Sequence, residues 1–314
     1  MTPLPVAIVG LGPIGVEIAR ALAARSDVRL AAAVDLDPAL DGKPLAERVP
    51  GAPDGVKISP RLADAIGGGA VRALALATSS RFEHVTRDLE IAIDAGVHVA
   101  STCEELAAPA IDPARWAALD ERARRAGVTV IGTGVNPGFV MDRLVLQLAG
   151  ACVRVERVTV ERVVDAAKRR GPLRKKVGEG LTQAEFAVGV AERRLGHVGL
   201  RESAHLIARG LGWTLDGYEE TIAPALGSDG RCLGIRQRGL GSVEREVRIS
   251  LALDMFVGAP EPHDRVILDG DPPLDVLIAG GTQGDRGTVG TMVNALVRLP
   301  RAPRGLITVA DVFC

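Results

Sequence analysis

Aromatic residues are scarce in this chain: five Phe, two Trp and one Tyr among 314 residues. Its core must therefore be built mainly from Val, Leu, Ile and Ala. Cysteine is also rare. Cys103, Cys152, Cys232 and Cys314 lie far apart and form no Cys-x-x-Cys pair, so neither a metal site nor a disulfide framework is suggested. No apolar run reaches the roughly 18 residues of a bilayer-spanning helix, and the start, Met1-Thr2-Pro3-Leu4-Pro5, lacks the basic head and apolar core of a secretory signal. A large charge imbalance is missing too. The net charge is −1, with both signs spread along the chain, which argues against nucleic acid or an anionic membrane as the main partner. These absences together favour a protein of the reducing cytoplasm. Its length suits one large or two medium domains, and neither an internal repeat nor a low-complexity tract is present.

The stretch Val6-Ala7-Ile8-Val9-Gly10-Leu11-Gly12-Pro13-Ile14-Gly15 organises what is there. A short apolar run ends in Gly-x-Gly-x-x-Gly and passes directly into an Ala-rich helical pattern, Val16 to Ala24. In such a turn Gly10 permits the tight bend, Gly12 lets backbone approach a pyrophosphate, and Gly15 lets helix pack on strand. The N–H groups and dipole at the helix start favour phosphate. The motif alone is weak. Here it follows a strand pattern, precedes a helix pattern, and is followed about twenty residues later by an acid, Asp35, closing the next apolar run, Leu30 to Val34. That carboxylate could accept hydrogen bonds from an adenosine ribose.

Further short apolar runs follow at Ala73–Ala77, His98–Ser101 and Val128–Gly132, separated by helical patterns at 83–95, closed by Gly96, and from Asp112-Pro113 to Gly127. Alternating strands and helices predict an α/β domain with a doubly wound parallel Rossmann sheet and ligands at the strands' carboxyl ends. Beyond Pro137 the period changes to two. Thr159–Asp165 and Val243–Phe256 read as long strands, the second with Val243, Val247, Ile249, Leu251 and Leu253 on one face. Val266–Leu268 and Val276–Ala279 add strands, and helices are expected at 182–195 and 201–211. A last helix, Thr288–Leu299, is expected to return to the first domain. The expected organisation is a dinucleotide-binding domain, 1–136 plus 286–314, with an inserted α+β domain of mainly antiparallel sheet, 137–285, for substrate binding and oligomerisation.

A nicotinamide would reach the polar loops Thr78-Ser79-Ser80, Ser101-Thr102-Cys103-Glu104-Glu105 and Asn136-Pro137-Gly138. One carboxylate of Glu104-Glu105 could face the cleft, where it would stabilise an ammonium or iminium and move protons. The pair could equally be solvated acids opening a helix. His197, in Gly196-His197-Val198-Gly199, is either an acid–base or substrate group or a local cap. The cluster Lys168-Arg169-Arg170 … Arg174-Lys175-Lys176 is either an anion clamp or a solvated loop. His84, His98, His205 and His263 have no metal-like spacing and read as structural.

These segments resemble the 2,4-diaminopentanoate dehydrogenase family, which includes native NAD(P)-dependent amine dehydrogenases and is distantly related to dihydrodipicolinate reductase. The resemblance rests most specifically on Ser101-Thr102-Cys103-Glu104-Glu105-Leu106 and on Gly132-Thr133-Gly134-Val135-Asn136-Pro137-Gly138-Phe139-Val140-Met141-Asp142. Lys176-Val177-Gly178-Glu179-Gly180-Leu181, Gly196-His197-Val198-Gly199-Leu200-Arg201-Glu202-Ser203, Val293-Asn294-Ala295 and Pro303-Arg304-Gly305-Leu306 extend it. It implies oxidative deamination of an amine at a carbon bearing no carboxylate, and the reverse reductive amination of a ketone or aldehyde with ammonia. The catalytic glutamate of the family maps onto Glu104, with Glu105 the fallback.

The cofactor, NAD or NADP, is expected on Gly10, Gly12, Pro13, Ile14, Gly15, Asp35, Thr78, Ser79, Ser101, Thr102 and Asn136. Asp35 favours NAD by repelling a 2′-phosphate, a preference that Arg61 or the basic loop could soften. The substrate is expected on Asn136, Pro137, Phe139, Arg170, Lys176 and His197. A homodimer is expected, because an open antiparallel sheet has a face to cover. Two alternatives stay open: a carbonyl or imine reductase that needs no ammonia, and a dinucleotide-binding sensor without catalysis.

Overall fold

The computed structural model describes residues 2–168 and 171–313. Contacts divide the chain into two compact units. One comprises the chain up to Gly138 together with Gly284–Val312, the other Phe139–Gln283.

The first unit opens with β1 (Leu4–Val9), α1 (Pro13–Ala23), β2 (Val28–Val34), β3 (Ile58–Ser59) and α2 (Leu62–Ile66). It continues through β4 (Ala73–Leu76), α3 (Phe82–Asp94), β5 (His98–Ser101), α4 (Pro113–Ala126) and β6 (Thr129–Gly132). Every residue of β4, β5 and β6 is buried. Both faces of these strands are covered, which is why they read in the sequence as unbroken apolar runs rather than alternations. The helix ends follow local chemistry. Asp112 caps α4 by accepting from the Arg115 N–H at 2.9 Å, Pro113 fills the first turn, and Gly127 ends the helix in the left-handed region at φ 69°. Gly96, at φ 71°, donates to the Ile93 carbonyl just past α3.

The second unit contains α5 (Arg143–Ala149), β7 (Arg154–Asp165), α6 (Gly171–Lys176), α7 (Gln183–Ala191), α8 (Leu200–Gly210) and β8 (Gly217–Leu226). Then come β9 (Cys232–Val243), β10 (Glu246–Phe256), β11 (His263–Asp271) and β12 (Leu274–Ala279). Among the described residues they form a six-stranded sheet in the order β12-β11-β7-β10-β9-β8. Neighbours are antiparallel except β7 and β10, which run parallel. One face packs against α5 and α8.

Three expectations about this unit are corrected. Val243–Phe256 is not one continuous strand: Val243 ends β9, and β10 starts at Glu246 after a hairpin turn. Glu244 and Arg245 sit in the left-handed region, at φ 54° and 67°, and form that two-residue turn. Val247 is 48% exposed, because the register shifts between Val247 and Ile249; Ile249, Leu251 and Leu253 do face the core. Strands β8 and β9 were not anticipated at all. Their apolar alternation is broken by Gly239 and Gly241, where a Cβ would come within 2.6 Å of the Tyr218 hydroxyl and 2.9 Å of Leu215 respectively. The side chains that fill those places come from β8 and the chain just before it.

The chain returns to the first unit as α9 (Gly284–Leu296), β13 (Gly305–Ile307) and α10 (Val309–Phe313). The returning helix thus starts four residues before the expected Thr288, and a separate single turn covers Leu299–Arg301. Helix α9 packs on α1, β4 and β5. Among the described residues, seven parallel strands lie in the order β13-β6-β5-β4-β1-β2-β3. The direction of winding reverses between β1 and β4, which opens a crevice at their carboxyl ends.

His98 is structural. Its Nδ1 accepts the Thr129 N–H of β6 at 3.0 Å, and burial, with Arg304 and Arg72 nearby, lowers its pKa from 6.5 to about 4. As pH falls through 6.5 the unfolded chain takes the proton first, so stability declines between pH 6.5 and about 4 and levels off below. The total loss from this group is at most roughly 3 kcal/mol. Urea midpoints measured from pH 7.5 to 4.5 should show this slope, and a His98→Gln variant should flatten it.

Candidate active site

Five loops of the first unit leave one edge of the parallel sheet, and backbone bonds tie their starts together. Gly10 donates to the Val34 carbonyl (2.9 Å), Asp35 to Ser59 (3.1 Å), Ala77 to Val9 (2.8 Å), Thr102 to Leu76 (3.0 Å) and Thr133 to Ser101 (2.8 Å). The expected cofactor residues Gly10 to Gly15, Asp35, Thr78, Ser79, Ser101, Thr102 and Asn136 lie on these loops or on the strand and helix ends that flank them.

The three glycines of the first loop do different things. Gly10 has φ 87°, and a Cβ there would sit 2.6 Å from the Ala77 carbonyl oxygen; one at Gly15 would sit 1.8 Å from the Gly10 carbonyl oxygen. Both are packing requirements. A Cβ at Gly12 meets nothing within 4 Å, so there the loop faces open space at the start of α1. Pro13 has no N–H, and the amides of Ile14 and Gly15 have no acceptor within the helix. This is a cradle that suits a pyrophosphate. Asp35 braces the loop: its Oδ2 accepts the Leu11 N–H at 2.6 Å, its Oδ1 the Asp37 N–H at 2.9 Å. A carboxylate has about four acceptor sites, so capacity for ribose hydroxyls remains. Two neighbours escaped the sequence reading. Leu36 is 81% exposed directly after Asp35, and Arg48 donates from Nε to the Leu11 carbonyl at 3.1 Å. An apolar residue among polar ones was a legible signal for Leu36. Arg48 had none, being 37 residues away along the chain.

The two adjacent glutamates separate into different environments. Glu105 is 6% exposed, its Oε1 accepts from Arg81 at 2.6 Å, and its Oε2 accepts the Phe82 N–H at 2.8 Å. Its carboxylate therefore holds the first turn of α3, where the helix dipole favours a negative charge. Glu104 is half-buried and opens the single turn Glu104–Leu106. That turn rests directly on β6: a Cβ at Gly132 would lie 2.6 Å from the Leu106 backbone. Thr78 is exposed, and Ser79 Oγ accepts the Arg81 N–H at 3.1 Å and lies 3.1 Å from His84 Nδ1. Ser101 Oγ accepts the Cys103 N–H at 3.1 Å. Burial pushes the Cys103 thiol well above its ordinary range, helped by Glu104 and Glu105, so it is no nucleophile. After β6 the loop closes tightly, since Gly138 has φ 121° and a Cβ there would meet the Gly134 nitrogen at 2.4 Å. Asn136 and Pro137 are buried within it, joined by a cis peptide.

The remaining expected residues belong to the second unit. Phe139 and Lys176 are half-buried; Arg170 lies outside the described residues. The Lys176 carbonyl accepts the Gly196 N–H at 3.3 Å, which brings Lys176 beside His197. The His197 backbone is gripped by Gln237, whose Oε1 accepts its N–H at 2.9 Å and whose Nε2 donates to its carbonyl at 2.8 Å. The same Nε2 donates to Glu220 Oε1 at 2.7 Å. Two distant motifs also meet here: Asp142, which caps α5, accepts at Oδ2 from Ser203 Oγ at 2.7 Å. In the basic cluster Arg174 is paired with Glu179. Among the described residues no group of three or more His, Cys, Asp or Glu could hold a metal ion, and no helix is long and apolar enough to cross a membrane.

Residues 139–314 match the family model of the 2,4-diaminopentanoate dehydrogenase C-terminal domain. The chain belongs to this family. A 2,4-diaminopentanoate dehydrogenase from Acetoanaerobium sticklandii is 29% identical over 254 residues, covering 75% of this chain and 72% of its own. An amine dehydrogenase structure from Mycobacterium smegmatis superposes with a TM-score of 0.85 at 21% identity, over 98% of this chain and 95% of that one. A scyllo-inositol dehydrogenase from Lactobacillus casei, solved with NAD(H) and scyllo-inositol, gives a TM-score of 0.66 at 16% identity, over 96% and 88% of the two chains. At these identities the structures establish the shared fold: a Rossmann-type domain joined to a mainly antiparallel sheet.

Replacing Glu105 with Ala removes both the Arg81 partner and the acceptor for the Phe82 N–H. It should lower stability by about 2 kcal/mol, read as a shift in the thermal or urea midpoint.

Proposed function

We propose that this protein is an NAD(P)-dependent amine dehydrogenase, which deaminates a small amine oxidatively and, in reverse, aminates a ketone or aldehyde with ammonia. The observation that carries the reading is the division of labour between the two glutamates. Both stand on a turn fastened to β6 at the ligand-binding edge of the sheet; Glu105 holds Arg81 and the start of α3, and Glu104 opens the turn. The family, and the 2,4-diaminopentanoate dehydrogenase that the chain resembles, support amine dehydrogenase chemistry.

Gly10, Gly12, Ile14 and Gly15 would hold the cofactor pyrophosphate, Asp35 the adenosine ribose, and exposed Leu36 the flat face of the adenine. The open space at Gly12 fits this group. Thr78, Ser79, Ser101, Thr102 and Asn136 would line the path to its reactive end. The bound nicotinamide accepts a hydride in deamination and returns it in amination. Glu104 acts on the substrate nitrogen. It takes a proton from the ammonium and passes it to solvent, so the neutral amine can lose hydride from carbon and become an iminium, which the regenerated carboxylate stabilises. Glu104 next assists water in adding to the iminium carbon. Loss of ammonia from the resulting carbinolamine leaves the carbonyl compound. The balance is one amine cation, one oxidised cofactor and one water giving one ketone or aldehyde, one ammonium, one reduced cofactor and one proton. Asn136 and Pro137, on the loop after β6, orient the substrate. The setting is the cytoplasm, in keeping with free thiols at Cys103, Cys152 and Cys232.

Oxidation of NADH and NADPH should be followed with 2-amino-4-oxopentanoate and a panel of simple ketones and aldehydes, with and without ammonia. Turnover only when ammonia is present is expected; turnover without it points to a carbonyl or imine reductase and overturns the proposal. Glu104→Ala should lower kcat by about a thousandfold while NADH still binds.

The protein acts as a homodimer, joined through the sheet face of the second unit that α5 and α8 do not cover. This face carries Glu161, Arg236, Arg238, Ala252, Asp254 and Arg265, with Arg238 paired to Asp254 and Arg265 to Asp275, both at 2.6 Å. A surface of mixed sign can meet its own copy across a two-fold axis with opposite charges in register. Sedimentation velocity should find dimers of the wild type, and Ala252→Arg, placed at the middle of the face, should yield folded monomers. A monomeric wild type at micromolar concentration would rule this interface out.

A further inference from the structure

The connection between β2 and β3 contributes a cation that the glycine motif gives no hint of. Arg48 is exposed, and its Nε donates to the carbonyl of Leu11 at 3.1 Å. The N–H of the same residue donates to Asp35 Oδ2 at 2.6 Å. Leu11 thus has a carboxylate on its donor side and a guanidinium on its acceptor side, and both converge on the first loop. An arginine anchored through Nε has its orientation fixed while its terminal nitrogens stay available. Those nitrogens form the rigid fork that matches the oxygens of a phosphate.

Asp35 alone would disfavour a 2′-phosphorylated ribose, since a dianionic group would lie against a carboxylate. Both Asp35 oxygens already accept backbone N–H groups, from Leu11 and Asp37. Those bonds fix the carboxylate in place, so it cannot swing away from an incoming phosphate. Any tolerance of that phosphate must come from a cation at the same place. Lys43, Lys57 and Arg61 are further cations in this part of the chain; Arg61 is 80% exposed in its side chain and turned toward Asp64, with 3.9 Å between their charged atoms. Its pull is solvated and shared. Arg48 is held on the loop itself.

We propose that Arg48 is the residue that sets the choice between NADP and NAD, receiving the 2′-phosphate of the adenosine ribose and offsetting the repulsion of Asp35. This rests on the dinucleotide reading of the glycine loop. It does not depend on which substrate is used or whether Glu104 is catalytic. The role is one of cofactor specificity: Arg48 touches the adenosine end, remote in the cofactor from the nicotinamide.

The test uses the full chain and two probes that differ only in the group concerned, 2′,5′-ADP and 5′-ADP, titrated by calorimetry, with NADPH and NADH binding followed by fluorescence. In Arg48→Ala, affinity for 2′,5′-ADP and NADPH should fall at least about tenfold, as expected for loss of a charge-assisted phosphate contact, while 5′-ADP and NADH change less than about threefold. Arg48→Lys, which keeps the charge without the fork, should recover part of the loss, and Arg61→Ala should leave the ratio of the two affinities unchanged. A thermal midpoint for each variant identifies any that has failed to fold. Equal loss for both members of each pair would mean that Arg48 only braces the loop or meets the pyrophosphate, and no loss for either would mean that it contacts no phosphate; both results overturn the proposal. If the wild type binds none of the four probes, the dinucleotide reading itself falls, and this inference with it. Binding of the probes in a protein without amine dehydrogenase activity would leave the Arg48 result standing and refute only the proposed reaction.

Discussion

A Cβ at Gly15 would lie 1.8 Å from the carbonyl oxygen of Gly10, and no side chain elsewhere in the first unit could relieve that contact, because it is backbone against backbone. The start of α1 is therefore pressed onto the end of β1. The same device recurs where a Cβ at Gly132 would meet the Leu106 backbone at 2.6 Å, and where one at Gly138 would meet the Gly134 nitrogen at 2.4 Å. The first and third contacts close a loop of the carboxyl edge on itself, and the second seats one segment against its neighbour. The first shapes the phosphate cradle, the second carries Glu104, and the third folds Asn136 into its loop. Close approach between main chains is what makes the edge of an ordinary parallel sheet into a constructed site.

Carboxylates on this edge are assigned by their hydrogen bonds rather than by their position in the sequence. Glu104 and Glu105 are chemically identical neighbours, yet Glu105 is taken up by Arg81 and by the start of α3. Asp35 braces the glycine loop through the N–H groups of Leu11 and Asp37. Asp142 is fully buried, and it ties α5 to α8 through Ser203. A motif that is specific in sequence can thus be structural in its details: the Asp142–Ser203 bond joins two well-separated segments.

The second unit shows how a sheet can hide from a reading of periodicity. Strand β9 contains Gly234, Gly239 and Gly241, and β8 contains Glu219, Glu220 and Pro224. Neither alternates cleanly, because part of the space above β9 is filled by Tyr218 and Leu215, from β8 and the chain leading into it. The burial of such strands is a property of the pair. Strand β10, by contrast, supplies its own apolar face from Ile249 to Leu253, and it was visible at once, although its turn at Glu244-Arg245 was not.

The glycine loop, Asp35, the alternation of strands and helices up to Gly132 and the change of period beyond Pro137 were all determined by the sequence alone. These features depend on local geometry: a tight turn needs glycine, a strand buried on both faces needs a continuous apolar run, and a helix end needs a cap. Only the tertiary structure decided that Glu105 holds Arg81 and the start of α3, that the turn of Glu104 rests on β6, that His197 is gripped by Gln237, and that Arg48 reaches Leu11. Each of those outcomes rests on a bond or contact between residues from about 20 to 40 positions apart. Nothing in the spacing of a sequence encodes such a meeting, because it exists only once the sheet has set the direction in which every loop leaves it.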